Sequence, residues 1–181
     1  MPLRWVMAHN AYTFRRKLHV RVDEQTKEIL AAEVTVSNVH DNRMFSPLLS
    51  QVLGKVCQVS GDGAYDTMTC YESIAHRRGE KASIPPRRNA KSFRRRDGSG
   101  GLTLRDANIQ EIRQKGWYAG RIAGGGTRQS VAENAVSRFK VLFDPTLRAR
   151  RFDNQKAEGL MKCAILNRMR SLGMPVSERI L

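Results

Sequence analysis

Apolar and polar residues alternate most strictly between Lys17 and Val22, with Leu18, Val20 and Val22 on one side and Lys17, His19 and Arg21 on the other. A period of two predicts a half-buried strand with a basic outer face. Asp23 to Glu28 reads as a turn, and Ile29 to Ser37 as the returning strand of an antiparallel hairpin. From Asp41 the period lengthens. Met44, Phe45, Leu48, Leu49 and Val52 form a helical stripe that Asp41 caps and Gly54 stops, with Pro47 tolerated in an early turn. A third strand, about 55–60, runs into Gly61-Asp62-Gly63. A second helix follows from Asp66 through Met68, Tyr71, Ile74 and Ala75 to Gly79, and Lys81 to Ile84 makes a short strand ended by Pro85 and Pro86. Further helices are predicted from Leu104 to Lys115, from Thr127 through Val131, Ala135, Val136, Phe139, Val141, Leu142 and Phe143, and from about Asn154 to Leu172. The last carries Leu160, Met161, Ala164, Ile165, Leu166 and Met169 and stops at Gly173.

Charge changes this picture more than any other bulk property. Lys and Arg number 32 against 17 acids, a net +15 in 181 residues, and the pI is near 10.6. Such a balance calls for a polyanionic partner, most often nucleic acid. His19, on the polar side of its strand, is then expected to face solvent or DNA. The most basic stretch, Arg87, Arg88, Arg94, Arg95 and Arg96 within residues 87–101, has no helical stripe and predicts a mobile, phosphate-contacting loop. The chain is long enough for one domain with its own core. Hydrophobic residues make up 40% and mean hydropathy is −0.50. No window approaches the ~18 apolar residues of a membrane span, and no secretory leader is visible. Cys57, Cys70 and Cys163 are too few and too scattered for a disulfide framework or a zinc cluster, which suits a reducing cytoplasm. Gly124-Gly125-Gly126 lacks the spacing of a phosphate-binding loop.

Two acids stand out. Asp62 lies at the mouth of a strand-to-helix turn, where a strand can fix a carboxylate while glycines leave room beside it. Glu133 lies in a helical run, and Lys140 follows two turns later on the same side. The order hairpin, helix, strand, helix, strand, basic loop, helices is most of a ribonuclease-H-like α/β fold.

Five ordered blocks carry a resemblance over about residues 14–176. They are Arg15 to Asp23, Gly61 to Thr67, Ile84 to Arg87, Ser130 to Asn134 leading to Arg138-Phe139-Lys140, and Ala164 to Arg168. Together they resemble bacterial insertion-sequence transposases of the DDE type, within the IS4-like superfamily. That resemblance implies a ribonuclease-H-like mixed sheet in which three carboxylates hold two divalent ions, Mg2+ or Mn2+, for cleavage and strand transfer of DNA. By motif match Asp62 is the second carboxylate and Glu133 the third, both metal ligands, and Lys140 is the lysine near the DNA. Arg138 and Arg128 join Lys140 and the basic-loop arginines as DNA-binding candidates.

The family's first carboxylate precedes the Arg-Arg-Lys-Leu-His block, but residues 1–13 contain no acid and Asp23 reads as a turn residue. The Tyr and Arg that family members carry before the glutamate are here Gly126 and Gln129. The chain is therefore expected to be a partial catalytic domain, residues 1–176, lacking its first, central strand, although Arg4 to Ala8 could pair in the gap. The expected partners are double-stranded DNA, both transposon ends and target, with no membrane. The chain alone is expected to be inactive, with a homodimer or complementation by an N-terminal fragment as its assembly, in a bacterial cytoplasm at the nucleoid. The alternative is a non-catalytic DNA-binding remnant or regulator; a ribosome-associated basic protein leaves the Asp62 and Glu133 motifs unexplained.

Overall fold

The alternating run forms strand β2 (Arg16–Asp23), and it returns as β3 (Ile29–Val36) in antiparallel register. Asp23 closes the hairpin: its carboxylate accepts from the backbone N–H of Gln25 at 2.6 Å and of Thr26 at 3.1 Å. That is turn chemistry, as the local sequence predicts. The computed structural model describes residues 3–13, 16–54, 56–77, 81–86, 90–91, 103–116, 129–143 and 146–173.

The expectation of a missing central strand is overturned. Strand β1 (Leu3–Thr13) occupies the middle of a five-stranded sheet of order β3-β2-β1-β4-β5, with β4 at Val56–Ser60 and β5 at Lys81–Ser83. It pairs antiparallel with β2 and parallel with β4, from Leu3↔Val56 to Val6↔Ser60. The driving force is the need of two strand edges, on β2 and β4, for hydrogen-bond partners away from water. The pairing extends well beyond the Arg4 to Ala8 segment that could be anticipated.

Helices cover both faces. On one lie a 3-10 turn (Asp41–Met44), α1 (Phe45–Gln51) and α2 (Met68–Ala75). Here Phe45, Leu48, Leu49, Tyr71 and Ile74 pack on Val56, Val59 and Ala82. Helix α3 (Leu104–Lys115) lies against α2 and β5. On the other face α4 (Gln129–Leu142) crosses β1 and β2, and α5 (Phe152–Ser171) lies along β3. Leu18, Val20, Val22 and Val34 there meet Ala132, Ala135, Val136, Phe139, Cys163 and Leu166. This layer is apolar enough that burial pushes the Cys163 thiol up to about 12. Val141 and Leu142 of the predicted apolar side are instead exposed, as are Leu160, Met161, Ile165 and Met169.

Two glycines mark close approaches. A Cβ at Gly159 would lie 2.6 Å from Val34 Cγ2, so only glycine lets α5 sit this close to β3. A Cβ at Gly61 would lie 2.9 Å from the Tyr65 ring. Helix α5 is also tied to the sheet by Asn167, whose Oδ1 accepts from the Ile29 N–H and whose Nδ2 donates to the Ile29 carbonyl, both at 2.9 Å.

The basic face of β2 does not meet solvent. His19 is 1% exposed and Arg21 is fully buried, because the Asp41–Met44 turn and α1 roof over that side. His19 Nε2 lies 2.9 Å from Thr35 Oγ1 and its Nδ1 3.5 Å from Asp41 Oδ1, while the Arg21 guanidinium stacks over Phe45 at 5.5 Å. His19 is thus neither solvated nor DNA-facing. Asp41 provides no helix cap; it serves as the half-buried partner of His19 and Lys17, the latter at 3.4 Å.

Candidate functional site

Asp62 is where its motif predicts. Strand β4 ends at Ser60, and Asp62 begins a 3-10 turn (Gly63–Tyr65) in which its Oδ1 accepts from the Ala64 N–H at 2.8 Å. The side chain is half-buried. Next to it Tyr65 is fully buried, its ring 5.8 Å from that of Phe45. Burial first, then the negative charges of Asp41 and Asp62, push the Tyr65 phenol upward, and Arg21 pulls the other way. Asp62 therefore shares the electrostatic neighbourhood of Asp41 and Arg21.

Asp66, expected to start the next helix, lies ahead of it and does something else. Thr67 is the cap, accepting from the Cys70 N–H, while the Asp66 carboxylate is fully buried and grips Arg105 of α3 at two points, 2.8 and 3.1 Å. Arg105 also donates to the Lys91 carbonyl at 3.0 Å. Beside this pair, Asn108 donates to the Ile84 carbonyl at 2.6 Å and to the Tyr71 hydroxyl at 3.1 Å. The turn that carries Asp62 is thus braced from α3, thirty-nine residues on from Asp66. Nothing in the local pattern signals a partner that distant.

Glu133 is exposed on α4, and so is Lys140; Arg138 is half-buried. Their neighbours Ala132, Ala135, Val136 and Phe139 face the sheet, which turns Glu133 and Lys140 outward on one side of the helix. Helix α4 packs on β1, the strand hydrogen-bonded to β4, so the elements that carry the two acids both adjoin the same central strand. The parallel β1–β4 pairing ends at Val6↔Ser60, and two residues further along each strand come Ala8 and Asp62. No residue of β1 is an acid. Arg87, Arg88, Arg94, Arg95, Arg96 and Arg128 lie outside the described residues, as does most of the 87–101 segment.

Among the described residues no three His, Cys, Asp or Glu side chains gather as a metal-binding group. Asp62 commits one oxygen to Ala64, and the described donors do not complete the set that two divalent ions require.

A central mixed sheet with helices on both faces, and an acid just past the end of the strand beside the central one, define an α/β domain. The chain belongs to the transposase DDE domain family, whose model matches residues 2–168. The family implies a ribonuclease-H-like fold, DNA as substrate, a divalent metal and a role in DNA transposition. No solved structure matches the chain. Among the described residues no helix is long and apolar enough to cross a membrane.

Sequence reasoning missed the Asp66–Arg105 brace and a group of arginines at 148–151. The second was detectable, since three arginines in four residues stand directly ahead of a helix.

Proposed function

We propose that this chain is the DNA-binding part of an insertion-sequence transposase, and that it cleaves DNA only when a further carboxylate is supplied from outside the described site. Asp62 and Glu133 are the two carboxylates it contributes, and Lys140, with Arg138 beside it, faces the DNA. Duplex DNA, at transposon ends and target, is the partner, and Mg2+ or Mn2+ the ion. The observation that carries this reading is the acid-free β1, which runs beside β4 and has Ala8 where a carboxylate next to Asp62 would stand. Two acids alone are a poor cage for hard cations that take six or more oxygens.

The test uses labelled duplex from the ends of the element. The purified chain should bind it with a steep salt dependence and leave it intact in Mg2+ or Mn2+. Adding a chain that carries the absent acid should bring nicking, and Asp62→Asn or Glu133→Gln should abolish it. Failure to bind duplex DNA removes the reading. Nicking that survives both substitutions removes the assignment of the acids.

A further inference from the structure

Between α4 and α5 the chain passes through Thr146-Leu147-Arg148-Ala149-Arg150-Arg151. This loop is held by side chains of α5. Glu158 accepts from the backbone N–H of Arg148 at 3.1 Å and of Ala149 at 3.0 Å, Gln155 donates to the Ala149 carbonyl at 2.9 Å, and Lys162 donates to the Thr146 carbonyl at 3.0 Å. Lys162 and Glu158 pair with each other at 2.9 Å. The Glu158 carboxylate is therefore spent on the loop's own backbone and on Lys162. Arg148, Arg150 and Arg151 are exposed.

The cationic surface continues beyond the loop. Phe152 carries the Arg16 guanidinium at 4.8 Å and the Lys156 ammonium at 5.2 Å, and Arg16 also donates to Gln155 at 2.6 Å. Lys156 pairs with Glu33 at 2.9 Å, and Asp153 is the exposed acid in the first turn of α5. No side chain caps that helix, so the positive end of its dipole adds to the arginines.

We infer that the strapped 146–151 loop is a phosphate clamp for duplex DNA, with Arg148, Arg150 and Arg151 as its contacts. A fixed loop presents guanidinium groups without the ordering cost of a free one, and guanidinium matches phosphate in shape and charge. The partner is duplex rather than single-stranded nucleic acid because the loop offers no ring for base stacking. Phe152 is the aromatic there, and cations already cover it. The inference rests on the proposed DNA-binding function and adds a contact outside the Asp62, Glu133 and Lys140 region.

The experiment measures the affinity of the full chain for a duplex over a range of salt concentrations. Neutralising Arg148, Arg150 and Arg151 together by alanine should make the slope of log affinity against log salt shallower by about 2 to 3, since each phosphate contact contributes roughly 0.9. Arg→Lys at the same three positions should restore most of the slope, because lysine keeps the charge. A thermal melt checks that both variants fold. Wild-type binding with an unchanged slope in the folded alanine variant overturns the clamp and leaves the proposed function standing. Lysine variants that fold yet fail to recover the slope also overturn it. A wild-type chain that does not bind duplex at all defeats the proposed function instead.

Discussion

Strand β2 serves two helical layers at once, and they receive very different side chains from it. Toward α4 and α5 it presents Leu18, Val20 and Val22, and the contact is apolar throughout. Toward the Asp41–Met44 turn and α1 it presents His19 and Arg21, buried just as deeply. The first layer is held by area removed from water. The second has its own apolar core of Phe45, Leu48 and Ile74 on Val59, but where it meets β2 it adds pairing: His19 to Thr35 and Asp41, Arg21 over Phe45, and nearby Asp66 to Arg105. A buried ion pair contributes little against an apolar replacement, but losing one partner strands a charge. The pairs set into this second layer should therefore fail abruptly under single substitutions, and it is this layer that bears the turn of Asp62.

The sharpest way to break the contrast is Arg105→Ala. It leaves the Asp66 carboxylate buried without its two-point partner and should cost about 3–5 kcal/mol. A denaturant melt would read this as a lower midpoint, and adding Asp66→Asn should recover a substantial part. If Arg105→Ala melts like the wild type, the brace has no weight. On the apolar side Gly159→Ala forces a methyl group against Val34, an overpacking defect of about 1–3 kcal/mol. Val34→Ala in the same chain should relieve it; an additive loss would mean that the contact is not the cause.

The smallest effect concerns Glu158, on the outer side of the apolar layer. Desolvation raises its pKa, but the bonds from Ala149 N–H, Lys162 and Arg148 N–H outweigh it, and the net shift is downward. A lowered folded pKa contributes stability above the unfolded value of about 4.3, and that contribution disappears as pH falls through the folded value. Comparing wild type with Glu158→Ala, the gap in stability should be about 1–2 kcal/mol at neutral pH and should close in strong acid. A gap independent of pH would rule out the ionised carboxylate as the source.

The sequence made the hairpin, the Asp62 turn and α3 legible because each rests on local information: a period of two, a Gly-Asp-Gly turn, a helical run after Thr103. It could not show that the basic side of β2 is roofed over, since burial of a polar face depends on a layer contributed by Phe45 and Asp41. The central strand was underread for a similar reason. Leu3 to Thr13 lacks strict alternation and is held by two neighbours distant in the chain. Of the candidate site, the placement of Asp62 and the shared helix side of Glu133 and Lys140 were legible. The Asp66–Arg105 brace was not, because an aspartate ahead of a helix looks like a cap whatever it pairs with.

The bond pair between Asn167 and Ile29 bears on what other chains can do to this one. Strand β3 is an outer strand, and a bare outer strand is a template on which a foreign strand can grow. The Asn167 amide offers Ile29 one acceptor and one donor, as the peptide group of a sixth strand would. Helix α5, lying along β3, thereby caps the first residue of that strand with a side chain, which a foreign strand would have to displace to pair there.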